Sequence, residues 1–202
     1  MPTVTITADY DAYPVYQIFD GAYVKYENQD DVYVGYYGGK FSVSYRGCFS
    51  FNLASLPADA TVTQVRRRIN CGSAGGANFL SDDHAYGSNG QENPASDDGE
   101  TCYNRCASGN LYQNDSTELR TTGVKWAVLG GTICQDVQNA KATVNRFALA
   151  IHEEGDDDPF ALIDGHSKVG GMPPQIEITY TQPTPPSGGY QYSDGLVCVQ
   201  VG

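Results

Sequence analysis

The stretch Phe41-Ser42-Val43-Ser44-Tyr45-Arg46-Gly47-Cys48-Phe49-Ser50-Phe51-Asn52-Leu53 alternates with a period of two. Val43, Tyr45, Phe49, Phe51 and Leu53 share one parity, while Ser42, Ser44, Arg46, Cys48, Ser50 and Asn52 take the other. Successive side chains of a strand point to opposite faces, so this pattern gives an apolar face and a polar face. A helix brings i and i+4 together, not i and i+2, and is excluded here. The expectation is a half-buried antiparallel strand.

The same period recurs along the chain. Residues 3–37 give short Tyr- and Val-rich strands broken at Pro14, Asp20-Gly21, Asn28 to Asp31 and Gly38-Gly39. In residues 60–71, Val65, Ile69 and Cys71 face one way and Gln64, Arg66, Arg68 and Asn70 the other. Arg67 must therefore point away from Arg66 and Arg68, so the three arginines do not form one anion site. Stem burial and pairing with acidic groups is the expected role. Residues 72–114 are rich in Gly, Ser, Asn and Asp and are expected to be one long irregular loop. Val124 to Gly130 follows as a strand carrying Trp126, residues 135–145 as a short helix or turn, and 145–154 as a strand with Phe147, Leu149 and Ile151 in register. Residues 159–165 and 174–181 close the set, with Ile176, Ile178 and Tyr180 on one face.

Many short strands with evenly spaced turns predict an all-β fold, an antiparallel two-sheet β-sandwich of jelly-roll type. One domain is expected over residues 1–181, followed by a Pro/Gly linker at 182–189 and a C-terminal strand arm at 190–202. The 23 glycines and 15 tyrosines of the 202-residue chain agree with turns joining amphipathic strands. A net charge of −12 opposes nucleic acid and anionic lipid, so neither is an expected partner. No apolar run reaches the roughly 18 residues of a membrane span, and the N-terminus carries no signal-peptide pattern.

Three stretches carry a resemblance. Arg46-Gly47-Cys48-Phe49-Ser50-Phe51-Asn52-Leu53-Ala54-Ser55-Leu56-Pro57 is a strand and turn; Phe147 to Ile151 is followed by an acidic turn from Glu153 to Asp158; Pro173 to Thr181 is a closing strand. Together they resemble the DNRLRE-type jelly-roll modules of secreted carbohydrate-active and surface proteins, over about residues 5–181. The resemblance implies the sandwich fold and an association with carbohydrate. This chain has Asn52 where the family has its hallmark acidic residue, and Gln64 to Ile69 in place of its usual following strand.

Catalytic motifs for nucleophilic, metalloprotease or nucleotide chemistry are missing, so no enzyme is expected. His84, His152 and His166 each stand beside carboxylates and are expected to be solvated. The dense oxygen-ligand turn Glu153, Glu154, Asp156, Asp157 and Asp158 is the candidate structural calcium site, and no other cofactor is expected. Cys48, Cys71, Cys102, Cys106, Cys134 and Cys198 are candidate disulfide cysteines, and Cys102-x-x-x-Cys106 lacks the paired spacing of a zinc site.

The expected function is that of a non-enzymatic structural subunit of an extracellular particle, a bacteriophage virion protein such as a capsid decoration or fibre component. Its partners would be itself or a major capsid protein, through the arm residues Tyr190, Tyr192, Leu196, Val197, Val199 and Val201. Its place would be the virion or an extracellular surface. The alternatives are a carbohydrate-binding module or adhesin, with tyrosine rings against a glycan, and a secreted filament subunit using donor-strand exchange.

Overall fold

The computed structural model describes residues 1–38, 42–153 and 160–183. Along them run β1 (Thr3–Thr7), β2 (Tyr10–Gln17), β3 (Ala22–Glu27), β4 (Asp31–Tyr37), β5 (Val43–Tyr45), β6 (Gly47–Asn52), β7 (Thr61–Ser73) and β8 (Ser81–Ala85). Helix α1 (Gly99–Arg105), β9 (Leu111–Ser116), β10 (Gly123–Leu129), α2 (Ile133–Thr143), β11 (Arg146–Glu153), β12 (Ala161–Asp164) and β13 (Gln175–Thr181) complete the order. The protein is all-β, and every strand pairing is antiparallel.

The strands join into one hydrogen-bonded sheet of 13, not two separate ones. β4 makes the join, because it pairs with β12 on one side and with β5 on the other. The two wings nevertheless face one another across a shared apolar layer. Val65, Ile69, Ile163, Ile176 and Ile178 of one wing pack with Phe49, Phe51, Phe147, Leu149 and Ile151 of the other. Each such side chain contributes about 1.5–3 kcal/mol by its burial. Helix α2 adds Ile133, Val137 and Ala140, spaced four and three residues apart, to the same core.

The alternating stretch 41–53 is two strands. Residues 43–45 pair with β2 and β4, whereas residues 47–52 pair with β2 and β11. Gly47 begins the second, where a Cβ would stand 2.8 Å from Val32 and 3.1 Å from Val34. No side chain fits there without displacing core valines.

The region 72–114 is not the single irregular loop expected. It contains β8, α1 and the start of β9, and β8 pairs with both β11 and β9. The sequence Ser81-Asp82-Asp83-His84-Ala85 lacks an apolar face yet lies almost wholly buried. Arg67 Nε donates to Asp83 Oδ1, the Asp115 backbone N–H donates to Asp82 Oδ1, and His84 Nδ1 meets the Gly109 carbonyl oxygen, while among the described residues Ser81 Oγ and Asp83 Oδ2 are buried without a hydrogen bond. Asp98 caps α1 by accepting from the Thr101 backbone N–H. The excursion roofs the reverse face of β6 and β11, where Ala12, Cys48, Tyr86, Cys102, Cys106, Ala148 and Ala150 form a second, smaller core. Tyr103 of α1 packs on Tyr16 and Tyr23 and lies under the Arg46 guanidinium, 3.8 Å from the ring centroid.

Arg67 points away from Arg66 and Arg68, as its parity requires, and so enters the core face beside Val65 and Ile69. It is 1% exposed, with Nε donating to Asp83 Oδ1 at 2.7 Å and Nη1 2.9 Å from Glu118 Oε2. The Nη1 contact is an ion pair without hydrogen-bond alignment.

No disulfide joins the described cysteines: Cys48, Cys71, Cys102, Cys106 and Cys134 are free thiols. Cys48 and Cys102 stand 3.9 Å apart at sulfur, a contact between thiols and not a bond of about 2.05 Å. Cys71 instead donates to the Ser73 carbonyl on its own strand, and Cys134 lies on α2. Cys198 lies outside the described residues, as does the whole expected arm of Tyr190, Tyr192, Leu196, Val197, Val199 and Val201. Of the expected calcium turn, Glu153 ends β11, and Glu154, Asp156, Asp157 and Asp158 fall outside the described residues.

Candidate functional site

Alternation places tyrosines from four neighbouring strands on one side of the sheet. Tyr13 of β2 and Tyr26 of β3 are directly opposite in register, and their rings stack at 5.0 Å with an interplanar angle of 18°. Tyr33 of β4 stands 5.0 Å from Tyr13 and 5.3 Å from Tyr45 of β5. Phe160 continues the row, 5.4 Å from Tyr33 and 6.1 Å from Tyr37. The result is a contiguous aromatic surface at the margin of the main core, against which Tyr13 packs.

Two clefts flank this row and share Tyr13 and Tyr33 as a common wall. One, of about 310 Å³, is lined by Tyr13, Val15, Gln17, Tyr26, Tyr33, Val43 and Tyr45. The other, of about 360 Å³, adds Asn28, Gln29, Asp30 and Asp31 to the two tyrosines. A ring-lined compartment thus adjoins one rich in amide and carboxylate groups. Among the described residues the side chains of Asn28 and Asp30 make no hydrogen bond, so they remain available to a ligand. Asn28 takes the left-handed conformation, φ 51°, which turns the chain between β3 and β4.

That turn is held from behind. A Cβ on Gly165 would stand 2.1 Å from the Gln29 carbonyl, so only glycine permits this approach. Asp11, fully buried, accepts from the His166 backbone N–H and lies 2.9 Å from His166 Nδ1. Lys168 bridges Asp31 at 2.6 Å and Asp164 at 2.7 Å. His166, expected to be solvated, is therefore a support of the cleft.

The Tyr13 and Tyr45 phenols stay protonated at ordinary pH. Burial, then the neighbouring Tyr33, Tyr26 and Tyr45, pushes Tyr13 up to about 12. Burial first, and Tyr33 next, also raises Tyr45. These two rings are neutral platforms with hydroxyls that donate and accept.

Two further clusters lie on the reverse face of the β6–β11–β8 region. Cys48, Cys102 and Cys106 bring their sulfurs within 4.8 Å of one another and are wholly buried. Burial raises Cys48 and Cys106, while hydrogen bonds from Cys106 and Cys48 lower Cys102. Asp82, His84 and His152 likewise converge within 4.8 Å. The two histidines, expected to be solvated, instead lie on β8 and β11 with stacked rings, centroids 4.7 Å apart.

The strand parity of the tyrosines was visible in the sequence, but their convergence was not, since it depends on β2, β3, β4 and β5 lying side by side. No family model matches the chain, and no curated protein matches it significantly. No helix among the described residues is long and apolar enough to cross a membrane.

Proposed function

We propose that the protein is a non-enzymatic carbohydrate-binding module or adhesin that holds a glycan in the tyrosine-lined cleft. The observation that carries this reading is the shared wall of Tyr13 and Tyr33 between an aromatic compartment and a polar one. A pyranose has an apolar face of C–H groups and a rim of hydroxyls. The face suits a ring such as Tyr33, and the rim suits Asn28, Gln29, Asp30 and Asp31. The position of the rings on strands supports the reading as well, because a rigid platform binds without first being ordered. The resemblance to DNRLRE-type modules agrees with a carbohydrate ligand.

A glycan array followed by calorimetry on the best ligand tests the proposal. Tyr33→Ala and Tyr13→Ala are expected to weaken that ligand about tenfold or more, equivalent to ~1.4 kcal/mol. Tyr33→Phe keeps the ring and retains most of the binding. Silence across the array, or binding indifferent to both alanine variants, overturns the reading.

A second reading, a structural subunit of an extracellular particle such as a phage virion, is favoured by β10. This strand pairs only with β7 among the described residues and exposes Val124, Trp126 and Val128 on its outer face. The occupant proposed for its free edge is the segment 190–202 of a neighbouring copy, whose Val197, Val199 and Val201 alternate in the same way.

A further inference from the structure

The antiparallel register sets His152 of β11 directly opposite Asp82 of β8. His84 lies two residues further along β8 and so shares their face of the sheet. The tautomer of each imidazole is fixed by a backbone carbonyl, which can only accept. His84 Nδ1 lies 3.1 Å from the Gly109 carbonyl oxygen, and His152 Nδ1 lies 2.9 Å from the Glu153 carbonyl oxygen. Both Nδ1 atoms therefore carry hydrogen, and a neutral ring then has a bare lone pair at Nε2. Those two Nε2 atoms meet at 3.0 Å. Two lone pairs at that distance repel unless a cation stands between them.

Asp82 supplies the third donor. The residue is 2% exposed, and its Oδ1 accepts from the Asp115 backbone N–H at 2.8 Å. Its Oδ2 is turned to His84, 3.7 Å from Nε2. That separation is too long for a hydrogen bond but suits two ligands on one ion. An ion about 2.1 Å from each ring nitrogen holds the nitrogens about 3.0 Å apart at a right angle and about 3.4 Å apart at the tetrahedral angle of zinc, so the rings need to open by only a few tenths of an ångström. Imidazole nitrogens whose far N–H groups are anchored on carbonyls are the usual outer support of a metal site.

We propose that Asp82 Oδ2, His84 Nε2 and His152 Nε2 form a binding site for a first-row divalent transition-metal ion. Two imidazoles and one carboxylate suit zinc, cobalt, nickel or iron better than calcium, which takes oxygen ligands. The ion ties β8 to β11, and through Gly109 it also ties the end of the α1 excursion to the sheet. The site does not depend on the tyrosine cleft, and either can fail without the other.

The full chain, stripped with a chelator and dialysed, is titrated with ZnCl2 and separately with CoCl2. One equivalent is expected to bind, and His84→Ala or His152→Ala is expected to weaken it by at least 100-fold. The visible bands of bound cobalt appear without the intense near-ultraviolet absorption of thiolate ligands, and Cys102→Ser leaves binding unchanged. Zinc at a hundredfold excess over its dissociation constant raises the unfolding midpoint by roughly 5–10 °C. Nitrogen NMR of the unsubstituted chain supplies a readout that needs no variant, since zinc must shift both Nε2 resonances and leave Nδ1 protonated. Binding lost with Cys102→Ser but kept in the histidine variants would assign the metal to the thiol cluster and overturn the proposal. So would a chain that takes up no metal and whose two rings share a proton.

Discussion

At the scale of the residue, Arg67 shows what burial of a charge demands. Its guanidinium sits on the core face of β7, where burial works against the charge, and Asp83 and Glu118 outweigh that penalty to raise its affinity for the proton. Glu118 keeps 25% of its side chain exposed and can turn to water, whereas Asp83 is 1% exposed and cannot. Asp83→Asn is expected to cost about 3–5 kcal/mol in urea unfolding, because it strands a buried cation. The double variant Arg67→Met/Asp83→Leu is expected to recover most of that loss, since apolar groups of similar volume need no partner. A loss below about 1 kcal/mol in the single variant would contradict this account of the pair. The direction of Arg67 was readable from parity alone. Its partner was not, because Asp83 belongs to a run that looks like a polar loop until β8 is seen between β9 and β11.

At the scale of the element, α1 and β8 are the parts least announced by local pattern. Gly99-Glu100-Thr101-Cys102-Tyr103-Asn104-Arg105 is a seven-residue helix without a long apolar stripe. Only Asp98 before it, a capping residue, signals its start. Its two buried residues, Cys102 and Tyr103, are drawn inward by contacts that lie far off in the chain, with Cys48 and with Tyr16 and Tyr23. The thiols of the smaller core are closed off by this helix, and a thiolate must be reached to be alkylated. Native chain treated with iodoacetamide is therefore expected to label Cys134, half-exposed on α2, well before Cys48, Cys102 or Cys106. In denaturant all should label without prior reduction. Peptide mapping checks both statements, and a Cys48–Cys102 or Cys102–Cys106 bond in the unreduced digest would show that the sulfurs close into a disulfide.

At the scale of the whole molecule, the all-β class follows from period-two patterning repeated along the chain, and β13 does close against β1 and β7. The joining of both wings through β4 has no local signature, because a strand's sequence does not name its neighbours. β4 carries Val32 and Val34 toward the core and Tyr33 toward the cleft, a pattern equally suited to either wing. The same reasoning applies to the edges. β10 follows the rule for a half-buried strand, with Ala127 and Leu129 inward, yet its outer residues Val124, Trp126 and Val128 are 42%, 41% and 59% exposed. Arg66 and Arg68 lie over the Trp126 ring at 4.6 and 5.9 Å and cover only part of it. An apolar edge of this kind invites another strand, and Lys125 is the one charged side chain that β10 itself carries. If segment 190–202 of a neighbour pairs there, light scattering will find the full chain associating with rising concentration, while a chain ending at Thr181 stays monomeric. Val128→Glu places a charge on the contact face and is expected to dissociate the full chain as truncation does, with far-ultraviolet circular dichroism unchanged. Full-length and truncated chains that are equally monomeric at every concentration would remove the assembly reading and leave the glycan reading of the tyrosine cleft standing without it.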